Sequence, residues 1–60
     1  MKVYVDDHPV QVLPGATVKH ALIRAGVLEE IERGKRVYDE WGNEVGLDGA
    51  LAEGMKFSLR

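Results

Sequence analysis

The chain contains no cysteine. That absence excludes disulfide stapling, thiolate-ligated zinc, iron–sulfur clusters and a cysteine nucleophile together. Hydroxyl nucleophiles are nearly as scarce, with Thr17 and Ser58 the only threonine and serine. Thr17 reads as a helix cap and Ser58 as an outward strand residue. The two imidazoles, His8 and His20, lie far apart in sequence. A metal site needs several converging ligands, and Asp6-Asp7-His8 is the only cluster to weigh; it reads as a solvated turn without an ion. No phosphate loop is present, because Gly15 alone before a helix does not make one. No apolar run approaches the ~20 residues that span a bilayer. Met1-Lys2 leads into a strand pattern rather than a signal peptide. The expectation is a cytoplasmic protein with no membrane contact. An excess of positive charge is also missing: eight Lys and Arg stand against ten Asp and Glu, a net charge of −2. Nucleic-acid binders carry a basic domain or stripe, so the balance argues against that partner.

What remains is an ordinary folding composition, 45% apolar and 30% charged, too apolar for a disordered segment. Sixty residues make a single domain, residues 1–60. A chain this short buries only about 60% of its unfolded surface, so self-association is a natural route to extra stability.

The segment Pro14–Val27 organises the rest. Pro14-Gly15-Ala16 turns the chain and Thr17 is placed to cap a helix N-terminus. Val18, Ala21, Leu22 and Ala25 then recur at i, i+3, i+4 and i+7, one apolar stripe, with Lys19, His20 and Arg24 on the wet side. Gly26 stands where a left-handed residue stops a helix, and Val27 folds back onto the stripe. Before it, Met1–Asp6 alternates with period two, Val3 and Val5 inward and Lys2 and Tyr4 outward. Asp7-His8-Pro9 supplies turn chemistry, and Val10–Leu13 returns as a second strand with Pro9 at its edge. After the helix, Leu28–Arg33 continues as a helical turn closed by Gly34, and Lys35–Asp39 is a third strand. Gly42-Asn43 turns into a brief return strand at Glu44–Gly46. Leu47–Gly54 is an irregular connector anchored by Leu47 and Leu51. Met55–Arg60 alternates once more, with Met55, Phe57 and Leu59 inward.

This order resembles the β-grasp, or ubiquitin-like, fold: an α+β domain with a mixed four- to five-stranded sheet packed on one main helix. The likeness runs over nearly the whole chain. It is nearest to β-grasp ferredoxin-type amino-terminal domains, through Val5-Asp6-Asp7, Val10-Gln11-Val12, Gly15-Ala16-Thr17-Val18 and Ala25-Gly26-Val27. Ala52-Glu53-Gly54-Met55 is similar to both that group and the small sulfur carriers. These motifs report geometry rather than chemistry. The cluster that the ferredoxin likeness implies needs four cysteines, which this chain lacks, and the sulfur-carrier likeness implies a Gly-Gly terminus where this sequence reads Leu59-Arg60.

In a β-grasp the first and last strands run side by side and the third lies next to the last. The resemblance therefore implies that Tyr4 and Tyr38 flank Lys56 and Ser58 on the face away from the helix. Tyrosines are enriched at binding hot spots, so this face is a candidate docking platform, with plain cross-strand packing as the alternative. Trp41 on its turn is the other candidate contact, or else folds over the core edge. Glu29, Glu30 and Glu32 form a charged helical face without the pocket that acid–base chemistry needs. The expected function is a non-enzymatic protein-interaction or adaptor module with an unidentified protein partner and no cofactor. The alternatives are a degenerate sulfur-carrier relative and an RNA-binding β-grasp module.

Overall fold

The computed structural model describes residues 1–60. It is an α+β structure whose strands β1 (Lys2–Val5) and β2 (His8–Gln11) form the first hairpin. The hairpin turns on Asp6 and Asp7, with φ of 50° and 69°. Positive φ at both central positions is the mark of a type I′ two-residue hairpin loop, and aspartate tolerates that conformation better than most side chains. The turn thus falls one residue earlier than Asp7-His8-Pro9. β2 accordingly starts at His8, and Pro9 is its second residue, opposite Tyr4.

Leu13-Pro14-Gly15-Ala16 closes a β-turn, with the Ala16 N–H on the Leu13 carbonyl at 3.0 Å. Gly15 takes the left-handed position, φ 90°, that such a turn demands after a proline. Helix α1 (Val18–Ala25) follows, with Thr17 extended at the N-cap and Gly26 left-handed after the last turn. The Gly26 N–H donates to Ile23 (3.0 Å) and the Val27 N–H to Leu22 (3.1 Å), the paired bonds of a glycine-terminated helix. Of the four stripe residues, Val18, Ala21 and Leu22 are buried and Ala25 is half-buried against the core. Helix α2 (Leu28–Glu32) packs Leu28 and Ile31 against the core, and the Gly34 N–H closes on Ile31 at 3.0 Å.

Strands β3 (Val37–Asp39) and β4 (Lys56–Leu59) complete a four-stranded mixed sheet of order β2-β1-β4-β3. The central pair, β1 and β4, is parallel, and the other two pairs are antiparallel. Nine apolar residues are buried and no polar one is: Val3, Val5, Val10, Val12, Val18, Ala21, Leu22, Val37 and Phe57. The return strand expected at Glu44–Gly46 reduces to a single bridge between Tyr38 and Glu44, so the sheet has four strands rather than five. The last strand begins at Lys56 instead of Met55. Met55 sits half-buried before it, its Sδ accepting the Ala52 N–H at 3.0 Å.

Two carboxylates finish the β1–β4 ladder. Its backbone rungs are Gly54 N–H to Lys2 (2.7 Å), Tyr4 N–H to Met55 (2.8 Å) and Asp6 N–H to Phe57 (2.8 Å). At one end Glu53 accepts the Lys2 N–H at 3.0 Å. At the other Asp6 accepts the Leu59 N–H at 3.1 Å. The connector does similar work for α1. The N–H groups of Val18 and Lys19 donate to the carbonyls of Gly49 (3.0 Å) and Leu47 (2.8 Å), two of the donors that a helix leaves open at its start.

Candidate functional site

On the sheet face opposite α1, strand alternation brings Tyr4, Lys56, Ser58 and Tyr38 together. Tyr4 stands beside Lys56 in the parallel register and Tyr38 beside Ser58 in the antiparallel one. Because β4 lies between β1 and β3, the two tyrosines flank its lysine and serine. Tyr4, Tyr38 and Ser58 are half-buried and Lys56 is exposed.

The third row of this face is basic. Arg36 and Arg60 exchange both backbone hydrogen bonds, 2.7 Å and 3.0 Å, which extends the β3–β4 ladder by one pair and sets two guanidinium groups on the Tyr38 side of the sheet. Each has its own counterweight. Arg36 Nη1 donates to Glu44 Oε2 at 2.9 Å. That hydrogen bond, then the Glu44 charge, holds the Arg36 guanidinium above its ordinary range, with a smaller contribution from Tyr38. Arg60 lies over the Tyr38 ring, 5.5 Å from its centroid, within cation–π reach.

Trp41 is 76% exposed and does not fold over the core edge. Its turn is held by Asp39, whose Oδ1 accepts the N–H groups of Trp41 (3.0 Å) and Asn43 (2.9 Å). The indole is therefore displayed on an ordered turn directly after β3.

Neither edge of the sheet offers a further strand a complete ladder. Met1 and Val12 exchange bonds across β1–β2, at 2.9 Å and 3.1 Å. Antiparallel alternation then turns the polar groups of Pro9 and Gln11 outward. Pro9 has no N–H to offer, and Arg24 Nε donates to the Gln11 carbonyl at 3.4 Å. At the opposite edge the Val37 carbonyl accepts from Val45 (2.9 Å) and the Asp39 N–H donates to Asn43 (2.9 Å).

The histidines sit on separate elements. His8 opens β2, exposed, while His20 Nδ1 accepts the Thr17 N–H at 3.0 Å and lies 3.1 Å from Thr17 Oγ1. No three His, Asp or Glu side chains converge as a metal site. No helix is long and apolar enough to cross a membrane. What the sequence reading missed is the Arg36–Arg60 pair. The two residues are adjacent only through the strand register, and no local pattern announces it.

No family model, no curated protein and no solved structure matches this chain. The class that the fold itself defines is a small α+β domain with a mixed four-stranded sheet.

Proposed function

We propose that this is a β-grasp domain acting as a non-enzymatic adaptor, docking a protein partner on the open sheet face through Tyr4, Tyr38, Lys56 and Ser58. The β-grasp assignment is supported by the parallel first and last strands at the sheet centre with a helix after the first hairpin. The single observation that carries the docking role is the placement of two half-buried tyrosines on either side of Lys56 and Ser58. Tyrosine supplies a rigid contact area with a polar tip, and such residues dominate interface energetics. The incomplete ladders at both edges favour docking on the face over addition of a strand. Trp41, displayed on a fixed turn after β3, is a second contact.

The test is partner capture by the wild type compared with Tyr4→Ala and Tyr38→Ala, each verified as folded by circular dichroism. A partner that binds the wild type and is lost from both variants supports the proposal. Folded variants that retain every partner overturn it.

A further inference from the structure

A second surface lies on the other side of the sheet, where the end of β2 and the Pro14 turn meet the outer face of α1. Two large aliphatic side chains line it in the open: Leu13 is 81% exposed and Ile23 49%. Single exposed aliphatics are commonplace, but these two line one groove, over Val12 and Ala16.

The one charged side chain in the lining of that groove is Arg24, and no aspartate or glutamate lines it. Helix α1 carries Lys19, His20 and Arg24 and no carboxylate at all. Residues four apart are neighbours on a helix surface; Lys19 therefore stands beside Ile23, and His20 beside Arg24. Neither Lys19 nor Arg24 belongs to an ion pair, since the two ion pairs of the chain are Lys35–Glu30 and Arg36–Glu44. Arg24 spends one long hydrogen bond on the Gln11 carbonyl, 3.4 Å, and its remaining guanidinium donors are free. In a chain of net charge −2, an exposed aliphatic groove is thus lined by one unpaired cation, Arg24, with a second, Lys19, beside Ile23 on the same helix.

We propose that this groove docks an amphipathic helix of a partner protein, with aliphatic side chains seated against Leu13 and Ile23 and carboxylates meeting Lys19 and Arg24. The helical form follows from the edge of β2. Pro9 offers no donor and the Gln11 carbonyl is taken, so an extended peptide finds an incomplete ladder there. A helix satisfies its own backbone and needs only side-chain contacts. The surface is separate from the Tyr4–Tyr38 face, and neither proposal requires the other.

Selection from a displayed library of helical peptides, random at the surface positions, tests it on the intact chain. The expected winners carry aliphatic residues at i and i+4 with glutamate or aspartate beside them. They shift the amide resonances of Leu13, Ile23 and Arg24 in a ¹⁵N-labelled sample, and bind more weakly as salt rises. The double variant Lys19→Glu/Arg24→Glu selects lysine-bearing peptides instead. Leu13→Ser and Ile23→Ser, at exposed positions, keep the native spectrum and lose roughly tenfold or more in affinity. The proposal is overturned by winners without carboxylates, by a charge reversal that leaves selection unchanged, or by no enrichment. It also fails if shifts gather at Tyr4 and Tyr38, which would assign the helix to the sheet face. Concentration-dependent self-association abolished by Leu13→Ser would give the groove to a second copy and likewise overturn it.

Discussion

Arg36 and Arg60 face each other across the β3–β4 ladder, joined by two backbone hydrogen bonds of 2.7 Å and 3.0 Å. Like charges directly opposite in a sheet are unfavourable, and Glu44 relieves this pair through its 2.9 Å contact with Arg36. Glu44→Gln therefore lowers the melting temperature in dilute buffer. Added salt shrinks the deficit, because screening substitutes for the lost carboxylate. Thermal melts of both proteins at two ionic strengths check this, and a deficit that grows with salt contradicts it. The raised arginine pKa gives the sign with pH. A group whose folded value lies above its unfolded one contributes fully below the unfolded value and loses that contribution only as pH rises through the folded one. Arg36 therefore adds no slope to stability across the neutral range, and its contribution disappears only in strong alkali.

Asp6 has two duties in one residue, a left-handed backbone (φ 50°) and the terminal acceptor for Leu59. Substitutions separate them. Asp6→Asn keeps an acceptor and tolerates the conformation, so stability stays near wild type. Asp6→Ala loses the bond and adds backbone strain, a cost of about 1–3 kcal/mol. Asp6→Gly removes the strain but not the lost bond, and falls between. Urea denaturation of the three variants gives the order; alanine matching asparagine would show that the side-chain bond carries no weight.

His20 closes the start of α1 by accepting the Thr17 N–H, the role that Glu or Gln usually has three residues into a helix. His20→Gln preserves the arrangement and stability. His20→Ala costs about 0.5–1 kcal/mol, at the modest end because Gly49 and Leu47 already satisfy the next two donors. Helix content and denaturation midpoints distinguish the outcomes.

Leu22 is fully buried at the centre of the α1–sheet contact. Truncation of such a leucine to alanine costs about 2–5 kcal/mol, against a total of roughly 3–9 kcal/mol for a domain of this length. Leu22→Ala is thus expected to be substantially unfolded at 37 °C by circular dichroism. Ile23→Ala, one position on and about half exposed, leaves the melt within a few degrees. The contrast tests the orientation of the helix directly.

Much of this architecture is legible in the residues. The threonine before the helix, the valine–alanine–leucine stripe and the glycine after it locate α1, because each reflects a local backbone requirement. The alternation of Val3 and Val5 identifies the buried face of β1 for the same reason. The first turn is harder to place, since Asp6, Asp7, His8 and Pro9 all suit a turn and only the strand register decides which two bend. The Leu13–Ile23 groove is hidden for a different reason. Leu13 and Ile23 already fall outside the inward strand and stripe positions, but that they meet in one groove depends on how β2 and α1 pack. The Arg36–Arg60 pair and the two carboxylates that end the central ladder depend on contacts across the sheet, which carry no short-range signal.

The docking role of the open sheet face is tested most directly by a photo-reactive amino acid placed at position 56, between the two tyrosines, in the otherwise intact protein within its native cells. The account predicts a discrete covalent adduct with one partner protein. That adduct disappears when Tyr4 and Tyr38 are both alanine and persists in Ile23→Ser. A folded protein that yields no adduct from position 56, or one indifferent to the loss of both tyrosines, contradicts it.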